Sequence, residues 1–541
     1  MRSILLRPRV VFWCALILIT VAGFAIRNYD ITSVPSGLYP DEAMNGVDAI
    51  QANESGNYRL FYPNNYGREG LFINLQAFAV KAFGNNVPAL KLWSEVFGAL
   101  AVLGTGLLAW EVFRSRYAAI AASFLVATSF WAINFSRIGF RAIMVPFLLS
   151  FTFYFFFRGL RTGKIFPFIP SGFLFGLGLH TYVAYRLAPL ILILFFPFLL
   201  LSYTSFLRRF WKHGLVFILF AGLAAAPMLY DFVKHPEIFS SRSAAVSILS
   251  PEINKGNFWG TFGKTLGLSL IKYNFVGDQN WRHNYPPYPI LDPIVGTLFL
   301  AGFLFSIGMF VRILVKRIRF GRVDSELATH TFLLAGFFTM LAPEFLTEEG
   351  LPHALRAIGT QPFVFLFATI PLVFLFRRLG KSKGGTRVAF ASFLFLALVG
   401  SAGFNIVKYF VFYRQNPNQH NAFDERTTNM AAYLNSLPAE VHKYVVPNGG
   451  GQMIDNGLPI TAQPIVFLTH GKIENLEFLT PDSVISSPAV IIAMRPDQSI
   501  FENLRRFVPD AYETTIDLHP GFGTDFRTIV IPKQSVEDSG N

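Results

Sequence analysis

The chain has 541 residues, is 52% hydrophobic and only 15% charged, and carries 61 phenylalanines. That apolar and aromatic load exceeds what a soluble core of this size uses, so the composition points to a polytopic membrane protein. The formal net charge is +13, but the charges sit in short loops between apolar runs, which signals topology and not nucleic-acid binding.

A bilayer core takes about 20 apolar residues per helix. By that ruler eleven spans are predicted, near 10–26, 87–110, 117–133, 142–157, 166–184, 187–203, 214–230, 291–311, 327–346, 358–376 and 388–407. Arg2, Arg7 and Arg9 before an apolar run resemble a signal peptide. No small-residue cleavage site follows, so the run is expected to remain as the first membrane helix. The single cysteine, Cys14, lies inside it, which excludes an internal disulfide and a thiolate metal cluster. Segments 1–9, 114–116, 158–164, 208–213, 312–322 and 377–387 together hold 21 Lys and Arg and no Asp or Glu. The positive-inside rule then makes the N-terminus cytoplasmic. It places the longer polar segments 27–86, 231–290, 347–357 and the tail from residue 408 outside.

The first outer loop contains Leu38-Tyr39-Pro40-Asp41-Glu42-Ala43. Pro40 breaks the preceding chain, and 41–54 reads as a short amphipathic helix with Met44, Val47 and Ile50 on one stripe. Asp41 and Glu42 open that helix, where its dipole favours negative charge. A plain capping role is the simplest alternative. Residues 71–83 form a second helix, too short to span and expected to lie in the interface, with Leu71, Leu75, Phe78 and Ala82 on one face. Between the two lies Tyr66-Gly67-Arg68-Glu69-Gly70. A later loop, Gly277-Asp278-Gln279-Asn280-Trp281-Arg282-His283-Asn284-Tyr285-Pro286-Pro287, sits in a connection long enough to suggest function. After 408 the composition becomes that of a soluble domain. Strands are predicted at 443–446, 464–468, 489–493 and 527–531, and helices at 423–437 and 499–507, giving a small extracytoplasmic α/β domain. Asn448-Gly449-Gly450-Gly451 reads as a turn, because the Lys-Ser/Thr of a phosphate loop is missing.

With eleven spans, the unusual polar residues all reach the outer face. They are Asp41 and Glu42; Arg68 and Glu69; Arg137 and Arg141; His180, Tyr182 and Arg186; Arg282 and His283; and Glu348, Glu349, His353 and Arg356. Carboxylates in one loop and cations in others suit an anionic substrate beside a proton acceptor. No P-loop or Rossmann fingerprint occurs, so an activated substrate would arrive in the membrane, and a lipid phosphate carrying a sugar fits. Simpler readings stand beside these. Arg68 can be a snorkelling interface anchor, His180 a satisfied group at a helix end, and Glu344 a surface carboxylate without a function. Asp41, Glu42 and a histidine could compose a metal site, but no spacing demands one; a divalent metal is an unsupported option and no cofactor is required.

Several stretches carry a family resemblance: Tyr39-Pro40-Asp41-Glu42; Arg68 before Leu71-Phe72-Ile73-Asn74-Leu75-Gln76-Ala77; Phe135-Ser136-Arg137-Ile138-Gly139-Phe140-Arg141; Gly178-Leu179-His180-Thr181-Tyr182-Val183-Ala184-Tyr185-Arg186; and Leu351-Pro352-His353-Ala354-Leu355-Arg356-Ala357-Ile358-Gly359. Over residues 10–410 the chain resembles the GT-C glycosyltransferases, in the group of protein O-mannosyltransferases and bacterial lipid A aminoarabinose transferases. The resemblance implies a GT-C helical module, a polyprenyl- or dolichyl-phosphate sugar donor, and transfer at the outer face of the plasma (inner) membrane to a hydroxyl on a glycan, lipid or protein. It places the general base on Asp41 and the phosphate-binding cation on Arg68, where the aminoarabinose transferases have a Lys. Arg keeps the charge but brings a planar fork. Glu42 takes a supporting catalytic role. Arg282 and Arg356 are further candidates for the phosphate. Glu69, Arg137, Arg141, His180, Tyr182, Arg186, His283 and His353 are candidates for substrate contact. Two alternatives stay open: a ligase or polymerase using lipid-linked oligosaccharide, and a transporter or flippase. The charge-poor spans disfavour the transporter, whose ionisable residues would lie near the midplane.

Overall fold

The computed structural model describes residues 8–236, 247–381, 383–480, 483–499, 502–503 and 508–533. The chain divides into two compact units. One holds Met1–Tyr29, Glu69–Phe72 and Trp93–Tyr413; the other holds Asp30–Arg68, Ile73–Leu92 and Arg414–Asn541.

The first unit is helical. A helix is present at each of the eleven predicted spans. Among the described residues, eight helices are long and apolar enough to cross a membrane: Pro8–Asn28, Val87–Phe113, Arg141–Thr162, Val183–Ser202, Phe206–Lys234, Pro293–Phe320, Ile358–Lys381 and Gly384–Tyr413. Arg116–Thr128 and Phe130–Arg137 form a ninth only if taken together, bent by 58°. Ser129 at the break is extended, and the carbonyls of Val126 and Ala127 accept hydrogen bonds from the buried Arg27 guanidinium at 3.2 Å. That cation supplies donors to carbonyls a broken helix would leave unpaired. The remaining two predicted spans are weaker. Phe168–His180 is short, and Glu326–Phe345 carries Glu326, His330 and Glu344, which lower its hydropathy.

The second unit is built on a five-stranded sheet. Its strands are β1 (His442–Val446), β2 (Leu476–Phe478), β3 (Ala489–Ala493), β4 (Tyr512–Ile516) and β5 (Phe526–Ile531), in the order β2-β1-β3-β5-β4. β1 runs parallel to β2 and β3, and β5 runs antiparallel to β3 and β4. Side chains alternate across it. Val445, Val490 and Ile492 pack with Met430, Ala431, Leu434 and Ile465; Tyr444, Ile491 and Ile529 fill the other face. The helix predicted at 423–437 is Glu425–Ser436. The run predicted as a strand at 464–468 is instead the helix Gln463–Thr469. Five apolar residues fit either element by pattern alone; here Pro464 opens the helix, and Ile465 and Phe467 are buried. β2 and β4 were not predicted. The helix expected at 499–507 falls largely outside the described residues.

One helix of the first outer loop, and the second from Ile73 onward, belong to this unit. Gly70–Phe83 buries Ile73, Gln76, Ala77 and Val80, while Phe78 and Phe83 are exposed. Pro40–Ser55 packs Leu38, Ala43, Met44, Val47 and Ile50 against Val80, Leu90, Ile454, Ile460 and Phe467. A Cβ on Gly46 would lie 2.5 Å from the Phe467 ring, so only glycine permits this approach.

Candidate active site

In the second unit the polar residues gather on the helix Pro40–Ser55. Tyr39 is extended and Pro40 occupies the first turn, where a missing N–H costs nothing. Asp41 and Glu42 follow in that turn, and the helix ends on Gly56 at φ +70°. Glu42 is fully buried, whereas Asp41 is half-buried. Asp41 Oδ1 accepts a hydrogen bond from Asn65 Nδ2 at 2.9 Å. Asn45 and Asp48 follow Asp41 at helical spacing, so the three share one polar face of the helix.

Arg68 lies against that face at 1% exposure. Its Nε donates to Asn64 O at 3.1 Å, and its Nη1 donates to Asn45 Oδ1 at 2.6 Å. It also pairs with the Asp48 carboxylate. Burial lifts the Asp48 carboxyl above its ordinary range, against the pull of Arg68 and Asn64. Asp48 was not singled out from the sequence. Its signal was present: it sits seven residues after Asp41, two turns along the same face.

The first unit holds two further clusters. In one, the buried Glu69 carboxylate meets Arg141 Nε at 2.7 Å and an Arg186 amino group at 3.2 Å. Arg141 lies over the Tyr182 ring at 5.6 Å and Arg186 over Phe232 at 4.8 Å. Each arginine sits in a short 3₁₀ turn that leads into a span. His180 is buried and its Nε2 lies 2.9 Å from Ala224 O, a satisfied position at the end of its helix.

The other cluster joins the loop after Ile271 to the segment 344–356. His283 Nδ1 lies 3.0 Å from Asp278 Oδ2, which also accepts from Ala354 N at 2.7 Å. The His283 ring stacks on Phe135 and lies 4.8 Å from the His353 ring, centre to centre. Glu344 Oε1 accepts from His353 N at 2.8 Å, and the Glu344 carboxylate pairs with the buried Lys272. Burial, helped by the nearby positive charge of Arg356, Arg282 and Lys272, pushes His353 well below the usual imidazole range. Arg356 donates to Thr347 Oγ1 and to Glu349 Oε2 at 2.8 Å each. Arg282 Nε lies 3.3 Å from Asn280 Oδ1, and its carbonyl accepts from Asn134.

Arg137 belongs to neither cluster. It donates to the carbonyls of Ile26 and Arg27 and lies over the rings of Tyr409 and Phe410. Glu344, read from the sequence as a surface carboxylate, is a fully buried partner of Lys272. Lys272 and Asp278 were not chosen as candidates. Lone charges at the ends of apolar runs were the available signal.

Residues 71–252 match the family model described as dolichyl-phosphate-mannose-protein mannosyltransferase. No curated protein matches the chain in sequence. In fold the chain is similar to ArnT from Cupriavidus metallidurans in the apo state, with TM-score 0.53, 14% identity, and 97% of this chain and 99% of that one covered. The form bound to undecaprenyl phosphate gives TM-score 0.50 and 13% identity with the same coverage. The Archaeoglobus fulgidus oligosaccharyltransferase tethered to an acceptor peptide gives TM-score 0.54 and 13% identity over 86% of this chain. The match spans 63% of the archaeal chain. The chain is thus similar over residues 71–252 to the protein mannosyltransferases and in fold to ArnT and the archaeal oligosaccharyltransferase, and eight helices among its described residues are long and apolar enough to cross a membrane.

Proposed function

We propose that the chain moves a single sugar from a polyprenyl-phosphate donor to a hydroxyl acceptor, by single displacement at the outer face of the plasma (inner) membrane. The observation that carries this reading is Asp41. Its carboxylate sits half-exposed in the first turn of a helix and is oriented through one oxygen by Asn65. No other hydrogen bond to it occurs among the described residues. A hydroxyl becomes a competent nucleophile when a base takes its proton as the new bond forms. Asp41 has the chemistry for that step, and Glu42, fully buried, supports the turn that presents it.

The leaving group is a lipid phosphate, whose growing charge needs cations. Arg282 and Arg356 are our candidates for it. Arg68, which the resemblance matches to the phosphate-binding cation, is engaged by Asp48, Asn45 and Asn64. We therefore assign it to holding the helix that carries Asp41. Arg141, Arg186, Tyr182 and Glu69 form an ordered polar group suited to substrate hydroxyls or charge. The donor class is supported by the likeness to a transferase whose structure contains undecaprenyl phosphate. The orientation, with the N-terminus cytoplasmic and the tail outside, rests on the 21 basic and no acidic residues of the short loops. A second reading, transfer of a lipid-linked oligosaccharide, draws on the likeness to the archaeal oligosaccharyltransferase.

The test is Asp41→Asn. Asn keeps the size, still accepts from Asn65 and is itself a good helix cap, but cannot take a proton. Normal abundance, normal donor binding and turnover lower by roughly 10²–10⁴-fold are expected. Wild-type turnover in the purified variant would reduce Asp41 to a cap.

A further inference from the structure

We infer that Asp278, His283 and His353 form a binding site for a zinc-class divalent cation. One ligand atom from each lies within 4.8 Å of the other two. Donors bound to one zinc at about 2.0–2.2 Å stand roughly 3.3 Å apart in a tetrahedron. The Asp278–His283 pair is near that spacing already, at 3.0 Å. The third donor, within 4.8 Å of both, has to close by about 1.5 Å to reach the spacing of a tetrahedral zinc site.

The surroundings fix all three groups. His283 is held by its stack on Phe135, and Asn134, its neighbour in the chain, donates to the carbonyl of Arg282 at 2.8 Å. The backbone N–H groups of His353 and Ala354 are tied to Glu344 and Asp278. A carboxylate oxygen that accepts from a backbone N–H keeps capacity for a metal, and such outer contacts are how ligands are oriented. The two imidazoles face one another 4.8 Å apart. The neighbouring cations Lys272 and Arg356 each have a carboxylate of their own, Glu344 and Glu349, so the Asp278 charge can offset a bound ion.

The donor set selects the metal class. Two imidazoles and one carboxylate are the three-ligand pattern of zinc sites that keep an open position. Calcium takes six to eight oxygens and magnesium a near-octahedral oxygen shell, which this cluster does not supply. With zinc bound, the site would pin the loop carrying Arg282 to the segment carrying Arg356. This holds whatever the donor is, because metal content is read without any transfer assay.

The experiment is elemental analysis of the full chain, purified in detergent without chelator and without a histidine tag. About one zinc per chain is expected. Stripping with a chelator should lower the thermal midpoint, and adding back zinc alone should restore it. Cobalt added to the stripped protein should give the visible absorption of a four- or five-coordinate ion. His353→Gln and Asp278→Asn should weaken zinc binding by at least about 10-fold, the scale seen for lost coordination support. His442→Gln, in the tail, should leave it unchanged. If His353→Gln does not fold, the wild-type cobalt spectrum decides. A chain without zinc and without a cobalt spectrum, or a folded His353→Gln that binds zinc as the wild type does, overturns the site. Asp278 is then only a hydrogen-bonded tie between the two segments.

Discussion

Arg68 and Asp48 show how one partner decides what a charge is for. Read alone, an arginine before an interfacial helix suits a lipid phosphate. Buried against Asp48, it holds a charge that the interior would otherwise leave unpaired. Removing one member of a buried pair costs about 3–5 kcal/mol. Arg68→Ala and Asp48→Asn should therefore both lower the stability of the purified chain, and the double variant should lose less than the sum, because neighbours in one network do not act additively. Denaturant or thermal unfolding of the three variants checks this. If Arg68→Ala raises the donor KM while stability stays at wild type, Arg68 is a phosphate ligand and not a brace. Asp41, Glu42 and Arg68 were legible because charges in a short loop between apolar runs stand out. Asp48 was hidden because Asn45 and Asp48 interrupt a stripe that periodicity reads as merely amphipathic. The pairing of Lys272 with Glu344 spans 72 residues of chain, and no local pattern reports such a distance.

At the scale of elements, the helix Pro40–Ser55 depends on a glycine. Gly46 lets the helix approach the Phe467 ring so closely that a Cβ would clash at 2.5 Å. Phe467 is fully buried, and Leu90 is also within 3.0 Å of that Cβ, so there is little room to yield. Gly46→Val should cost about 1–3 kcal/mol, the usual price of overpacking, and should increase protease cleavage around residues 30–68. Unchanged unfolding and cleavage would show that the contact adjusts freely. The sequence supplied the helix but not its partner. Residues 464–468 look like a strand because five apolar residues do not distinguish the periods. β2 and β4 escaped for a different reason: Leu-Glu-Phe is too short, and Tyr-Glu-Thr-Thr-Ile is half-exposed, so neither gives an apolar run. The membrane helices were legible because each must satisfy its own backbone across an apolar layer, which forces long apolar segments into the sequence. The kink at Ser129 was not, since no proline or glycine marks it and the partner that satisfies it is Arg27, about a hundred residues away.

At the scale of the whole molecule, the helix series and the structural likenesses give the fold, and the match over residues 71–252 points to the transferase class proposed above. Whether the donor carries a single sugar is open to direct measurement. The purified chain in detergent is given a polyprenyl phosphate carrying one radiolabelled sugar, and in parallel a polyprenyl pyrophosphate carrying an oligosaccharide. Label in a hydroxyl acceptor and polyprenyl phosphate released are both counted. The single-sugar donor is expected to be consumed, with about one polyprenyl phosphate released per sugar transferred, as single displacement requires. Consumption of the oligosaccharide donor alone, or passage of the labelled lipid across vesicles with its sugar still attached, would contradict it.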